Sequence, residues 1–165
     1  MRQKMEIERK FLMKKKPQGL PILEQAVVYQ GYLCTKPTVR IRKKQVANNA
    51  PTFRLCIKGK GTLCRTEVET DLTEQQFTEL CGLLSREMVR KDYTVYALPD
   101  EKKLEYSIVD CGKPTSFCYA EVEFSSKEDA TTFIPPEFLG REVTEVPGFT
   151  MSDYWEKTSK PSDKD

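Results

Sequence analysis

The sequence predicts an α+β fold with a β-rich core, and three observations lead to that prediction. About eight stretches of the 165 residues combine strand-forming residues with polar and apolar alternation. The connections between them are short and marked by Pro, Gly and Asn, which favours antiparallel neighbours. One segment, residues 72–88, has the spacing of an amphipathic helix instead. A chain of this length is typically one domain that can bury a sizeable core.

The first half of the chain contains five predicted strands. Residues 5–13 alternate and are followed by a basic loop that contains Pro and Gly. Residues 22–33 are predicted to begin as a helical turn and to become a strand where β-branched and aromatic residues gather. The stretch 38–44 alternates again. Residues 52–61 and 63–72 meet at glycines and predict a β-hairpin.

The second half adds the helices and three further strands. Thr73, with Gln76 three residues later, predicts a capping box at the start of the helix over 72–88. The remaining predicted elements are strands at 89–99, 102–112 and 117–125, a short helix within 126–140 that two prolines interrupt, and a helical turn near Trp155. We expect one domain over residues 1–158 and a disordered polar tail over 159–165.

Composition excludes several classes of function. The chain has 27 basic and 25 acidic residues, so its net charge of +2 lacks the basic surplus of a dedicated nucleic-acid binder. Without histidine it has neither a Ser–His nor a Cys–His catalytic pair, and any metal would be a hard cation held by carboxylates. The six cysteines form no C-x-x-C pair, which argues against zinc. We find no signal peptide and no membrane span, and expect a cytoplasmic protein with reduced thiols.

Five of the predicted strands have one charged face. Residues i and i+2 of a strand point the same way, so Glu6, Glu8 and Lys10 share a face, while Ile7 lies on the opposite one. The other strands place like charges together in the same way: Arg40 with Arg42, Arg54 with Lys58 and Lys60, Arg65 with Glu67 and Glu69, and Glu121 with Glu123.

Two arrangements of the sheet explain this alternation. One is an open antiparallel sheet with a single solvated face, which is common. The other is a closed barrel whose charged faces line the lumen. Acidic residues gather on the first, fifth and eighth strands and basic residues on the third and fourth, a sorting that a merely solvated face does not need. Arg and Lys bind phosphate oxygens and carboxylates hold divalent cations, so such a lumen suits a metal–polyphosphate complex.

Several motifs together resemble one known family. "EIERKF" is similar to the E-x-E-x-K signature of the CYTH superfamily, the triphosphate tunnel metalloenzymes. It is followed in the family's order by "QGYL", "VRIR", "IKGKG", "RTEVE", "YAEVEF" and "LGREVT", so the resemblance spans residues 5–145. The length and the "LGREVT" ending look most like the compact bacterial members.

The resemblance implies an eight-stranded antiparallel closed β-barrel, or tunnel, with a charged lumen and flanking helices. Members bind a triphosphate with Mg²⁺ or Mn²⁺ and hydrolyse tripolyphosphate, nucleoside triphosphates or thiamine triphosphate, or cyclise ATP. Carried over by position, the implied metal-binding residues are Glu6, Glu8, Asp110, Glu121 and Glu123. The implied triphosphate-binding residues are Lys10, Arg40, Arg42, Lys58, Arg65, Arg90 and Lys91, and the implied catalytic residues are Lys10, Glu67 and Glu69.

The chain departs from the family pattern after the long helix. Compact bacterial members carry a K-x-R-Y run there, whereas this chain has "VRKDY" at 89–93. Aligning on Tyr93 places Arg90 at the lysine and Asp92 at the arginine, and aligning on Lys91 places Tyr93 at the arginine. Either way one expected cation is missing, and the sequence leaves open which of Arg90 and Lys91 faces the lumen.

The leading hypothesis is therefore a metal-dependent triphosphatase that acts on a small-molecule triphosphate, with tripolyphosphate as the first candidate. Three alternatives stay open: a nucleoside or thiamine triphosphatase or ATP cyclase of the same fold, a non-catalytic polyphosphate- or nucleotide-binding module, and an RNA-binding β-protein that stacks bases on its Tyr and Phe residues. Carboxylate pairs among the basic strands would repel a nucleic-acid backbone, so we expect no nucleic-acid partner. A homodimer is left open.

Overall fold

The strands of the protein close into an antiparallel barrel in the computed structural model, which describes residues 1–162. Around the barrel the order is β1-β5-β4-β3-β2-β6-β7-β8. The strands are β1 (Arg2–Met13), β2 (Ile22–Thr35), β3 (Thr38–Val46), β4 (Thr52–Lys58), β5 (Cys64–Leu72), β6 (Val89–Ala97), β7 (Lys103–Val109) and β8 (Phe117–Glu123). The predicted closed barrel is confirmed, and the open sheet with one solvated face is wrong.

Closure depends on β1, which pairs with two strands in succession. Its first half, from Arg2 to Ile7, pairs with β5, and its second half, from Glu8 to Met13, pairs with β8. Two neighbours for one strand leave no free edge in the barrel, so every strand contributes one face to the lumen.

Three short helices lie outside the barrel: α1 (Glu74–Cys81), α2 (Lys127–Thr132) and α3 (Met151–Thr158). The capping box at Thr73 and Gln76 is confirmed, but α1 ends at its C-cap Gly82 rather than near residue 88. The helical turn expected at residues 22–25 is wrong, because these residues belong to β2. None of the helices within residues 1–162 has the length and apolar character needed to cross a membrane.

The hydrophobic core lies on the outside of the barrel wall. One cluster packs outward-facing residues of β1, β7 and β8, such as Phe11 and Leu104, against α2. A second packs Ile41 and Phe53 against Phe77 of α1. A third cluster lies inside one end of the barrel instead, where the inward-facing Tyr32 and Tyr119 pack against Trp155 of α3. Because the apolar faces are used outside, the lumen is left to the charged faces.

The chain after residue 158 is hydrogen-bonded to the segment that precedes β6. The Glu87 amide donates to the Lys160 carbonyl at 2.9 Å, and the Ser162 amide donates to the Ser85 carbonyl at 3.0 Å. The tail predicted to be disordered over 159–165 therefore begins with residues whose backbones are hydrogen-bonded. Residues 163–165 lie outside the described part of the chain.

Candidate functional site

A cavity of about 650 Å³ occupies the barrel lumen. Its wall is built from charged side chains contributed by all the strands except β2, which adds Val28 and Tyr32. The cations that line it are Lys4, Lys10, Arg40, Arg42, Lys44, Arg54, Lys58, Arg65 and Lys91. The carboxylates that the strands contribute are Glu6, Glu8, Glu67, Glu69, Glu105, Glu121 and Glu123.

Strand alternation places these side chains inside. On β1, Glu6, Glu8 and Lys10 line the lumen, while Ile7 and Phe11, at the alternate positions of the strand, pack in the outer core. Burying the apolar residues outside therefore forces the charged residues inward. Every predicted site residue except Arg90 and Asp110 is among the lining residues.

A carboxylate cluster lies where β1, β8 and β7 are neighbours. Glu8 is directly opposite Glu123, and Glu121 is directly opposite Glu105. Burial and the Glu121 carboxylate raise the pKa of Glu8 to about 8. Carboxylates that face one another across neighbouring strands repel unless a proton or a cation lies between them.

The cluster fits a hard divalent cation. Its ligand atoms are carboxylate oxygens, the type that Mg²⁺ and Mn²⁺ prefer. Burial and then the Glu121 carboxylate raise the pKa of Glu8, and a cation would offset both effects by stabilising the ionised form. Burial alone would also raise the pKa of Glu121, but Lys10 and Lys91 hold it below its usual value.

Glu6 is bound by two cations instead. Lys58 Nζ donates to both Glu6 carboxylate oxygens at 2.7 and 2.8 Å, and Arg65 Nε donates at 2.8 Å. Burial opposes ionisation, yet these two cations lower the pKa of Glu6 to about 2. Arg65 also donates to Glu8 at 3.0 Å, so it links the two carboxylates of β1.

The opposite wall is mainly cationic. Arg40 and Arg42 on β3 face Cys56 and Arg54 on β4. The Arg40 Nε atom is buried and has no hydrogen-bond partner among the described residues. A guanidinium donor left unsatisfied in a polar cavity is suited to an anionic ligand such as phosphate.

Glu67 and Glu69 lie between the cations of this wall. Glu67 approaches Lys4 at 3.5 Å and Lys58 at 3.7 Å, and Glu69 approaches Arg54 at 3.3 Å and Arg42 at 3.8 Å. The Cys56 thiol donates to Glu67 at 2.9 Å, and ligand atoms of Cys56, Glu67 and Glu69 lie within 4.8 Å of one another. Because surrounding cations already neutralise both carboxylates, their geometry suits holding Lys and Arg side chains better than holding a metal.

The side chains of the "VRKDY" stretch alternate between the lumen and the outer face of β6. Lys91 is buried and lines the lumen, and burial lowers its pKa to about 7. Arg90 forms an ion pair with Asp92 at 2.7 Å away from the cavity. Tyr93 lines the lumen two residues after Lys91 and forms a hydrogen bond with Glu105. A tyrosine thus occupies the position of the second cation in the family run.

Asp110 is not brought together with the other acidic residues. It follows β7, is buried, and accepts hydrogen bonds from the Arg90 amide at 3.1 Å and the Tyr154 hydroxyl at 3.0 Å. Its backbone φ of 45° turns the chain after β7. These contacts tie the β7–β8 connection to α3, away from the lumen.

Sequence reasoning left Lys4, Lys44, Arg54 and Glu105 out of the predicted site. The same alternation carries a signal for all four, since Lys4 shares parity with Glu6, Lys44 with Arg42, and Arg54 with Lys58. Glu105 is hardest to find because its strand, Lys103–Val109, lacks a second acidic residue. The C-terminal segment 143–153 also lines the cavity, and nothing in its sequence indicates that.

Comparisons with known proteins agree with this architecture. A scan against family models finds no match. The chain is 35% identical over 142 residues to an inorganic triphosphatase of Nitrosomonas europaea, covering 85% of this chain and 89% of the relative. It is also similar to a crystal structure of an inorganic triphosphatase at 29% identity, with a TM-score of 0.57 and coverage of 95% and 97%.

A protein from Pyrococcus horikoshii shares the fold alone, at 18% identity, a TM-score of 0.56 and coverage of 75% of this chain and 80% of that one. The identity and coverage of the Nitrosomonas relative, together with the closed barrel and its charged lumen, establish the family. The chain belongs to the inorganic triphosphatase family of triphosphate tunnel metalloenzymes, within the CYTH superfamily.

Proposed function

We propose that this protein is a divalent-metal-dependent triphosphatase that hydrolyses inorganic tripolyphosphate inside the barrel. The observation that supports the proposal best is one closed lumen that holds a cationic wall opposite a cluster of carboxylates. A cationic wall alone would bind anions without metal, and carboxylates alone would bind metal without substrate. Tripolyphosphate is the preferred substrate because the related Nitrosomonas protein is an inorganic triphosphatase.

The lumen residues take two roles in this proposal. Lys10, Arg40 and Arg42, with the cations that complete the wall, bind the phosphate oxygens and stabilise the charge that spreads over them as a terminal P–O bond breaks. Glu67 and Glu69 hold those cations in place. The proposed triphosphate-binding set is Lys10, Arg40, Arg42, Lys58, Arg65 and Lys91; Arg90 is left out because it pairs with Asp92.

The proposed metal-binding residues are Glu6, Glu8, Glu121 and Glu123, and Asp110 is left out because it lies outside the lumen. Mg²⁺ or Mn²⁺, when bound there, neutralises phosphate charge and lowers the pKa of a bound water. Glu6 is included because it shares the lumen face of β1 with Glu8; since it pairs with Lys58 and Arg65, metal binding at Glu6 would require these ion pairs to open. We place the reaction in the cytoplasm, since all six cysteines are free.

The test measures phosphate release from tripolyphosphate, ATP and thiamine triphosphate with Mg²⁺ and with Mn²⁺. Glu121→Gln removes one proposed metal ligand, and Glu79→Gln on the exposed face of α1 is the matched control. We expect metal-dependent release, fastest from tripolyphosphate, to fall about 10²–10³-fold in Glu121→Gln and to stay unchanged in the control.

Other outcomes would replace the proposal. Faster release from ATP or thiamine triphosphate would make one of these the substrate. Metal-dependent binding of tripolyphosphate without release from any of the three compounds would indicate a binding module.

A further inference from the structure

One aromatic residue of the lumen, Tyr119 on β8, contacts two of the proposed phosphate-binding lysines through different parts of its side chain. Lys10 Nζ lies 3.9 Å from the centre of the Tyr119 ring. Lys91 Nζ donates a hydrogen bond to the Tyr119 hydroxyl at 3.1 Å. The two lysines come from β1 and β6, which are not neighbours in the barrel. Tyr119 therefore connects cations that the sheet itself keeps apart.

The packing around Tyr119 fixes its ring. The residue is 1% exposed, and its ring stacks on Phe117 with centroids 5.7 Å apart. It belongs to the cluster that holds Met151 and Trp155 of α3 against the barrel end. A side chain locked in this way presents its hydroxyl and its ring face at set positions, which is what a support for flexible groups requires.

The two lysines need such a support. An ammonium group on a four-carbon stem samples many rotamers, and it binds phosphate well only if that freedom is removed before the ligand arrives. Within residues 1–162, the Tyr119 hydroxyl is the one acceptor in hydrogen-bond reach of Lys91 Nζ. Lys10 has a carboxylate neighbour as well, Glu121 at 3.4 Å, so the ring face complements an ion pair there.

We propose that Tyr119 is a positioning residue, which holds Lys91 by its hydroxyl and Lys10 by its ring face in the arrangement that receives the triphosphate. This inference rests on the proposed function of the lumen. It assigns Tyr119 an effect on substrate through the lysines rather than by its own contact with the reacting atoms.

A double-mutant cycle tests the hydroxyl. We would measure KM and kcat for tripolyphosphate hydrolysis, together with tripolyphosphate affinity by calorimetry, for Tyr119→Phe, Lys91→Met and the double variant. Tyr119→Phe should raise KM and lower kcat/KM about ten-fold, the usual effect of losing a hydrogen bond to a charged group. In the Lys91→Met background the same change should have a much smaller effect, because the hydroxyl then has no ammonium to hold and keeps only its hydrogen bond with Ser107.

Tyr106→Phe is the matched control. Tyr106 is a buried tyrosine on β7 that packs in the outer core, and its hydroxyl bonds with Cys118 instead of a lysine. Its loss should leave KM and kcat unchanged. A second cycle with Tyr119→Leu and Lys10→Met tests the ring face, where we expect a two- to thirty-fold effect, roughly the range of a cation–π contact.

Each result decides between the proposals. Unchanged kinetics in Tyr119→Phe, or losses that multiply in the double variant, would overturn the positioning role while leaving the triphosphatase intact. A wild-type protein without turnover would overturn the proposed function, and the cycle would then be judged on tripolyphosphate affinity. A wild-type protein that neither hydrolyses nor binds tripolyphosphate would overturn both.

Discussion

Lys91 is a residue whose charge the fold disturbs strongly. Its side chain is buried in the lumen, and burial lowers its pKa from 10.5 to about 7. Near pH 7 the folded protein therefore holds Lys91 partly as the ammonium and partly as the neutral amine, whereas the unfolded chain keeps the ammonium up to higher pH. A bound phosphate would reverse this preference by giving the ammonium an anionic partner.

The free energy of unfolding should consequently depend on Lys91 between pH 7 and 10.5. In this window the unfolded chain binds more protons at Lys91 than the folded protein, so this residue makes stability rise with pH, by at most about 1.4 kcal/mol per unit. Urea unfolding of ligand-free wild type and Lys91→Met at pH 6, 7.5 and 9 measures the difference. The variant should be the more stable of the two at pH 6, and the gap should narrow toward pH 9.

Lys127→Met, at an exposed lysine that begins α2, serves as the control and should run parallel to wild type. If Lys91→Met also runs parallel to wild type, Lys91 keeps its ordinary pKa in the folded protein.

For single residues, the sequence predicts which face of the strand a side chain lies on, but not which neighbouring side chains it contacts. Alternation alone places Glu6, Glu8 and Lys10 together, and the structure brings them into one lumen. Alternation could not decide which of Arg90 and Lys91 faces the lumen, because neighbouring residues on a strand point to opposite faces and either choice satisfies the pattern. Asp110 lies beyond the end of β7, where alternation no longer determines direction.

At the scale of the elements, the irregular segment 140–144 runs alongside β1 in the structure. The Leu12 amide donates to the Arg141 carbonyl at 2.8 Å, and the Val143 amide donates to the Lys10 carbonyl at 2.8 Å. This close approach explains the glycine of "LGREVT". A Cβ atom on Gly140 would lie 2.1 Å from the Leu12 carbonyl oxygen, and a backbone atom cannot yield as a flexible side chain can.

Gly140→Ala should therefore separate this segment from β1. We expect a loss of about 1–3 kcal/mol in the free energy of unfolding, as in other overpacked sites, measured by urea denaturation. Gly59→Ala is the control, since its Cβ would meet its nearest atom, the Thr66 carbonyl oxygen, at an ordinary 3.5 Å. Equal stability of the two variants would show that the segment moves away from β1 without cost.

The sequence predicts helices and strands well where the apolar residues of a segment follow a single spacing. All eight strands are found, because alternation and turn residues agree. The predicted helix over 72–88 is too long, since Leu84 and Met88 keep the helical spacing although the chain leaves the helix at Gly82 to pack them. The turn at 22–25 is misjudged because pairing with β6 begins at Ile22, a tertiary contact without a local signal.

At the scale of the whole molecule, many charged side chains are concentrated in the lumen, so we expect the thermal stability of the protein to depend on a bound anion. Cations such as Arg40 are held close together by the barrel and are compensated only in part by carboxylates. Tripolyphosphate should raise the midpoint of thermal unfolding, corresponding to about 2.7 kcal/mol at a concentration 100 times its Kd. Differential scanning fluorimetry with and without Mg²⁺ measures the shift.

Arg40→Gln should reduce that shift strongly, since Arg40 Nε is buried, has no hydrogen-bond partner in the part of the chain that the structure describes, and is available to an anion. Lys127→Gln removes an exposed positive charge and should keep the full shift. An equal shift in both variants would mean that tripolyphosphate binds outside the lumen. Closure and the charged lumen could be foreseen from the sequence at this scale, whereas the lining by residues 143–153 could not, because that segment lacks periodicity.

The double pairing of β1 also affects how the protein is made. The strand that carries Glu6, Glu8 and Lys10 precedes β8 by more than a hundred residues, so half of it must wait until β8 has been synthesised. Domains with such distant contacts fold slowly, and their partly folded forms expose unpaired strand edges. The charged lumen therefore cannot exist during most of synthesis. Until β1 gains its second partner the barrel stays open, and the cations that line the lumen are not yet gathered in one cavity.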